Sequence, residues 1–237
     1  MYFSLVTPEP GLERDAANEW LQGAYSEHQL LWRFFPSPHG TRRDFLFRRR
    51  DIDGVPRFYV VSERKPEAPH SAWHVQTRSY MPDLAEGTRL NFELRANPVI
   101  ARGTEGRGKR HDVVMDEKKR LLAARGLTDW AAWTPGRKAA DGEQDPRPEL
   151  AELVGRSCTA WLEARAERYG FKLDSASLRI EGYMQHGGKK DQLRFSTVDF
   201  NGALVVTHRE RFAKALKFGI GRAKAFGCGL LLVRRED

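Results

Sequence analysis

His28 stands in the segment Tyr25-Ser26-Glu27-His28, inside a stretch whose apolar residues recur at three and four. Residues three apart share a helix face, so the Tyr25 hydroxyl and the His28 imidazole can converge on one bound atom. Histidine is the side chain best suited to moving a proton near neutral pH. By itself the pair is more often the pattern of a capped or partly buried surface histidine. His39, His70, His74, His111, His186 and His208 make neither HxH nor HExxH, the spacings that put two imidazoles on one metal. Cys158 and Cys228 are too few and too far apart for a zinc site or a disulfide framework. No metal and no cofactor is expected.

A second candidate is the segment from Gly219 to Gly229, Gly-Ile-Gly-Arg-Ala-Lys-Ala-Phe-Gly-Cys-Gly. A nucleotide-binding turn runs strand, glycines, helix, so that phosphate meets the helix N-terminus. Here the glycines follow a helical pattern and precede a strand, which argues against a nucleotide site. Two readings remain. Gly219 and Gly221 let backbone amides approach a phosphodiester beside Arg222 and Lys224, or Gly219 caps a helix before a tight strand entry. A third feature is the tip Lys189, Lys190 and Arg194 beside Gly187-Gly188, either a basic ribbon that clasps a nucleic-acid backbone or a solvated turn.

The charge distribution bears on both. The chain of 237 residues has a net charge of +8, yet residues 1–85 hold 11 basic and 11 acidic side chains and are neutral. Residues 86–237, with 29 basic and 21 acidic, carry the whole excess. Such asymmetry points either to a polyanion, nucleic acid before membrane since no basic amphipathic helix is evident, or to a solvated basic surface. No run approaches the ~18 apolar residues of a membrane span, and MYFSLVTPEPGLERD lacks the basic start and apolar core of a signal peptide. A cytoplasmic protein is expected.

The elements that must hold these residues read as two rounds of one order. Met1–Thr7 alternates as a strand, and Leu12–Phe35 carries a helical spacing (Leu12, Ala16, Trp20, Ala24, then Leu30, Leu31, Phe34) that Pro36 and Pro38 end. Asp44–Arg50 and Arg57–Glu63 flank the turn Asp53-Gly54, and Trp73–Tyr80 is a further strand. The second round begins with Thr88–Ala96 and stops at Asn97-Pro98. A basic loop without core pattern, Arg102–Arg110, precedes a short helix over Asp116–Arg125 and a polar insertion at 135–148. Glu149–Tyr169 is a helix closed by Gly170. Ser177–Met184 and Leu193–Phe200 are strands, Ala203–Thr207 continues or follows the second, Arg209–Phe218 is helical, and Leu230–Val233 is the last strand. The order β, α, β, β, α, β, with the second helix of the first round degenerate, predicts an α+β protein of tandem ferredoxin-like (RRM-like) domains, 1–85 and 86–237.

Together, MYFSLV at the start, EHQLLWRFFP at 27–36, RDFLF at 43–47, LRANP at 94–98 and GIGRAKAFGCGLL at 219–231 resemble the CasE-type CRISPR repeat endoribonucleases, the RNA-processing subunits of Cascade complexes. The resemblance runs from Met1 to Val233 and implies cleavage of precursor CRISPR RNA at the base of the repeat hairpin without a metal. The 2′-hydroxyl attacks the adjacent phosphate, a 2′,3′-cyclic phosphate forms, and the 5′-oxygen leaves. By position His28 matches the family's catalytic histidine, as acid or as base, and Tyr25 its tyrosine. Arg43, Arg102, Lys109, Arg110, Lys189, Lys190, Arg194, Gly219, Gly221, Arg222 and Lys224 are the expected RNA contacts. The repeat hairpin and the other Cascade subunits are the expected partners. A non-catalytic RNA-hairpin-binding subunit is the competing reading, and a nucleotide-dependent enzyme the weakest.

Overall fold

The alternating strand patterns build two antiparallel sheets. The computed structural model describes residues 1–20, 24–67, 72–103, 109–130, 148–187 and 194–236. In the first sheet β1 (Tyr2–Pro8) lies at the centre between β3 (Val55–Ser62) and β4 (Trp73–Ser79), and β2 (Phe45–Ile52) pairs outside β3. Asp53 and Gly54 both take positive φ, 53° and 75°, and close β2 onto β3 with Ile52 opposite Val55. A two-residue turn with both residues left-handed matches the twist of the strands it joins.

Two helices, α1 (Glu13–Trp20) and α2 (Ala24–Trp32), occupy the stretch expected to form one. Helix α2 stops before Phe34 because its last turn tightens into i to i+3 bonds, from Phe34 N to Leu31 O and from Phe35 N to Trp32 O. That turn drives both phenylalanines under the sheet, where they are buried with Leu30, Leu31, Phe45, Phe47, Phe58 and Trp73.

The second sheet has the order β11 (Leu231–Arg235), β5 (Arg89–Ala96), β10 (Phe195–Val206) and β8 (Phe171–Leu173), with β9 (Arg179–His186) also on β10. The two stretches expected near 193–207 are one 12-residue strand, because Ala203, Leu204 and Val205 keep their register on β5. Its end then pairs with β8, a strand too short to leave a periodic signal. The expected loop at 102–110 is flanked by a hairpin, β6 (Val99–Arg102) with β7 (Lys109–Asp112). Helix α3 (Val113–Ala123) starts three residues early because Asp112 caps it, accepting from Met115 N at 2.8 Å. Helix α4 (Leu150–Ala166) and a 3-10 turn end at Gly170 with φ 75°, and α5 (Arg209–Phe218) ends at Gly219. The polar insertion lies almost wholly outside the described residues.

Both sheets have the strand order of a ferredoxin-like fold, each with its helices on one face. On the other face Leu46, Val61 and Leu230 form a buried cluster against Met1, Phe3, Tyr59, Tyr80 and Leu232, and this cluster joins the two halves. Arg48, on the same face of β2 as Leu46, is 6% exposed and reaches Asp199 at 3.4 Å and Glu93 at 3.7 Å. Leu230 is at the centre of the joint and 1% exposed. Leu230→Ala is expected to lower unfolding free energy by about 2–5 kcal/mol through the cavity left behind, read as a fall in the urea midpoint.

Candidate functional site

Helix α2 is fixed to the first sheet by its own polar residues. Glu27 accepts from Arg49 Nη1 at 2.8 Å, and Arg49 holds Asp51 by two further bonds of 2.7 and 2.6 Å. Burial pushes the Glu27 carboxyl up in pKa against the pull of Arg49, so this anchor lies largely out of water. Next to it His28 enters a cavity of about 690 Å³ lined by Trp32, Arg42, Arg43, Asp44, Glu63, Lys217, Phe218 and Lys224, among others.

Trp32, one helical turn on, donates its indole N–H to His28 Nε2 at 3.1 Å. Nε2 is therefore an acceptor, and this tautomer carries its proton on Nδ1. Burial first, and then the charge of Arg43, hold the His28 pKa below its usual 6.5. Both effects disfavour imidazolium, and a hydrogen bond donated to the neutral ring works in the same direction.

The cations of this cavity crowd one another. Burial brings the Arg43 guanidinium down to about 10, and its Nη1 is buried with no hydrogen-bond partner among the described residues. Lys224 is lowered by burial and by the charges of Arg43 and Arg42, while its Nζ donates to Phe218 O at 2.6 Å. Asp44 offsets little of this charge, being engaged by Arg64 at 2.6 Å. A buried donor without an acceptor carries a desolvation cost that an oxyanion removes, so the cavity suits an anionic group beside a neutral imidazole.

Rings link this cavity to a second one. His28 lies 6.4 Å from Phe226, Phe226 stacks on Phe195 at 4.9 Å, and Phe195 on His186 at 4.6 Å. His186 bonds Thr197 Oγ1 at 2.9 Å and lines a cavity of about 550 Å³ with Arg110, Arg194 and Arg222. Asp112 lies there too, but its oxygens already accept from Met115 N, Tyr183 Oη and Ser196 Oγ. Among the described residues these arginines make no ion pair, which leaves them as the uncommitted charges.

The segment 219–229 forms one wall of both cavities. A Cβ at Gly219 would lie 2.7 Å from Gly229 O and 2.8 Å from Leu46, and one at Gly227 would lie 3.2 Å from the Phe47 ring. Gly229 N bonds Arg95 O at 2.7 Å and Ile220 N bonds Gly229 O at 2.8 Å. The glycines thus press the loop against β2, β5 and itself. Gly221 has more room, 3.4 Å from Trp161.

Among the residues singled out from the sequence, His28, Arg43 and Lys224 share the first cavity, and Arg110, Arg194 and Arg222 share the second. Arg102 lies away from both in an exposed pair with Asp116 at 2.6 Å, and Lys109 is exposed on β7. Tyr25 lies in the first turn of α2; its side chain, and Lys189 and Lys190, lie outside the described residues. Trp32, Arg42, Lys217, Phe218 and the ring ladder are added by the structure. Only Trp32 had a local signal, its spacing of four from His28. Among the described residues no group of three or more His, Cys, Asp or Glu side chains could hold a metal ion, and no helix is long and apolar enough to cross a membrane.

Removing the Arg43 charge by Arg43→Gln, or the indole donor by Trp32→Phe, is expected to raise the His28 pKa toward 6.5. An NMR titration of the ring protons reads the shift, and a fall in either variant contradicts this electrostatic origin.

Residues 1–235 match the sequence model of a family described as CRISPR associated protein. Over 227 residues the chain is 27% identical to the Escherichia coli protein named CRISPR system Cascade subunit CasE, covering 91% of this chain and 94% of that one. Over 168 residues it is 30% identical to the Thermus thermophilus CRISPR-associated endoribonuclease Cse3, covering 66% of this chain and 60% of that one. Among solved structures, Thermus thermophilus Cse3 bound to an RNA representing a pre-cleavage complex matches with a TM-score of 0.63 at 23% identity, over 98% of each chain. The Escherichia coli CRISPR-associated protein Cas6e matches with a TM-score of 0.58 at 23% identity, over all of both chains. At these identities the structural likeness establishes the tandem ferredoxin-like fold.

Proposed function

Since the chain belongs to the CRISPR-associated protein family, we propose that it is an endoribonuclease that cuts precursor CRISPR RNA at the base of the repeat hairpin, with no metal ion, and keeps its product within a Cascade-type complex. The observation that carries this reading is the neutral His28 held in a cavity lined by Arg42, Arg43, Lys217 and Lys224. The names of the relatives, a Cascade subunit and an endoribonuclease, support it. In this reading residues 1–85 form the domain that supplies the catalytic helix, and residues 86–237 form the domain that supplies most of the surface holding RNA.

The scissile phosphate binds among the cavity cations, with Arg43 Nη1 gaining the acceptor it lacks. The 2′-hydroxyl upstream then replaces the Trp32 indole at His28 Nε2, and His28 takes its proton as general base. The 2′-oxygen bonds to phosphorus, the bond from phosphorus to the 5′-oxygen breaks, and a 2′,3′-cyclic phosphate remains. The departing 5′-oxygen takes a proton from water as it leaves, and His28 returns the proton it gained to solvent. Arg43 and Lys224 stabilise the charge that builds on the phosphoryl oxygens. Tyr25, three residues before His28 on the same helix, orients the phosphate. Across the ring ladder, Arg110, Arg194 and Arg222 hold more of the RNA backbone, and Lys189 and Lys190 are further RNA contacts in this reading.

The test is an end-labelled repeat hairpin incubated in EDTA with wild type and His28→Ala. Wild type is expected to leave a cyclic-phosphate end, while His28→Ala still binds but cleaves about 10²–10⁴-fold more slowly. Cutting by His28→Ala at the wild-type rate would sink the proposal, and binding without scission by both proteins would make this an RNA-binding subunit.

The pH dependence follows from the lowered His28 pKa. A general base works unprotonated, so the single-turnover rate should rise with pH through a midpoint below 6.5 and stay level above it. A rate that instead falls through that midpoint assigns His28 the role of acid. Binding should weaken with salt, log K falling against log salt by roughly 0.7–0.9 for each phosphate neutralised.

A further inference from the structure

Phe218 is the last residue of α5 and 53% exposed, the only aromatic among the described residues with a large apolar side chain so open to water. Its ring meets no other ring and no cation among the described residues. Yet its backbone is tightly held. Gly219 follows with φ 74°, wedged against Gly229 and Leu46, and Lys224 Nζ bonds the Phe218 carbonyl at 2.6 Å. An apolar ring on a rigid mount, at the edge of a cationic cavity and without an internal partner, is arranged for a ligand rather than for folding.

Its position narrows that ligand. Phe218 and Lys217 line both the His28 cavity and an adjoining hollow of about 560 Å³ formed with Met1, Glu63, Glu210, Ala213 and Lys214. In the His28 cavity four cations face two carboxylates, one of them engaged by Arg64. In the adjoining hollow Lys214 and Lys217 are balanced by Glu63 and Glu210. The first suits a phosphate. The second, with an open ring and no net charge, suits a flat and uncharged group attached to it.

We propose that Phe218 is a stacking platform for an unpaired nucleobase next to the scissile phosphate, with the adjoining hollow as that base's site. The inference rests on the endoribonuclease reading and deepens it. Attack by the 2′-oxygen needs that oxygen in line with the phosphorus–oxygen bond that breaks. A nucleotide stacked in an A-form helix holds it away from that line. One neighbour of the phosphate must therefore leave the stack, and an unstacked base finds its replacement surface on an aromatic side chain. Stacking on phenylalanine is tolerant of base identity, so the site secures backbone geometry rather than sequence.

The experiment uses a repeat hairpin RNA made uncleavable by a 2′-deoxy sugar at the cut site, with 2-aminopurine placed on either side of the scissile phosphate. With wild-type protein the fluorescence of one of the two positions should change on binding as the base moves onto the ring. Phe218→Ala should abolish that response and weaken binding roughly 5- to 150-fold, the range found when a base-stacking side chain is cut to alanine. Phe218→Trp should restore both, its own emission being quenched by RNA. Because Phe218 is half in water, Phe218→Ala should unfold at the wild-type temperature, which excludes a folding defect. Wild-type fluorescence, affinity and cleavage in Phe218→Ala overturn the inference and leave the ring for a protein surface. If wild type neither binds nor cuts the hairpin, the endoribonuclease reading itself has failed.

Discussion

The contact on which the site depends is the close seating of residues 219–229 against β2, and it requires the absence of side chains. At Gly219 an added Cβ would meet the Gly229 carbonyl and Leu46, and at Gly227 it would press on the Phe47 ring. Only with hydrogen at these positions does the loop lie close enough for Phe226 to reach His28 and for Lys224 to join the cavity. The loop belongs to the second half of the chain and α2 to the first, so the cavity exists only while the halves are docked. Glycine is usually a source of freedom. In this loop, bonded at Ile220, Gly229 and Arg95, it allows a rigid join.

The join combines apolar packing with buried charge. Leu46, Val61 and Leu230 supply burial, and Arg48, Glu93, Arg95 and Asp199 form an ionic network beside them. Only Arg48 of these is buried, and such half-buried ion pairs contribute little net stability, since desolvation and solvent screening offset most of the attraction. Their geometric demand is strict, however. Arg95 meets Asp199 by two bonds of 3.0 and 2.7 Å, and Arg48 must reach the same carboxylate from the other sheet. The apolar cluster supplies adhesion, and the ions fix how β2 sits over β5 and β10.

Charge serves a different purpose at the cavities. Many arginines of this chain are matched with carboxylates, as Arg49 is with Glu27 and Asp51, Arg64 with Asp44 and Arg209 with Asp83. The cations around His28 are instead close to each other: burial lowers Arg43, and burial together with the charges of Arg43 and Arg42 lowers Lys224. Burial first, and then the charge of Arg43, keep His28 neutral. An anionic substrate relieves the repulsion, so binding and the readiness of the imidazole share one electrostatic cause. The ladder His28, Phe226, Phe195 and His186 spaces the two cationic cavities and keeps the wall between them apolar.

Local order was legible in the residues themselves. Alternation gave most strands, Asp53-Gly54 the first hairpin, Gly170 and Gly219 the helix ends, and the repeated element order the tandem fold, because each depends on neighbours within a few residues. The helix break before Phe34, the three-residue β8 and the fusion of two stretches into β10 were not legible, since tertiary pairing decided them. Of the site, the sequence determined that a histidine three residues after a tyrosine lies on a helix and that basic charge is concentrated in the second half. It could not show that Lys224, 196 positions along the chain, lines the same cavity as His28, that Arg102 is spent on Asp116, or that Phe218 stands open beside them. Those facts arise from how two sheets dock, and docking is set by side-chain shape across elements distant in sequence, which no local spacing encodes.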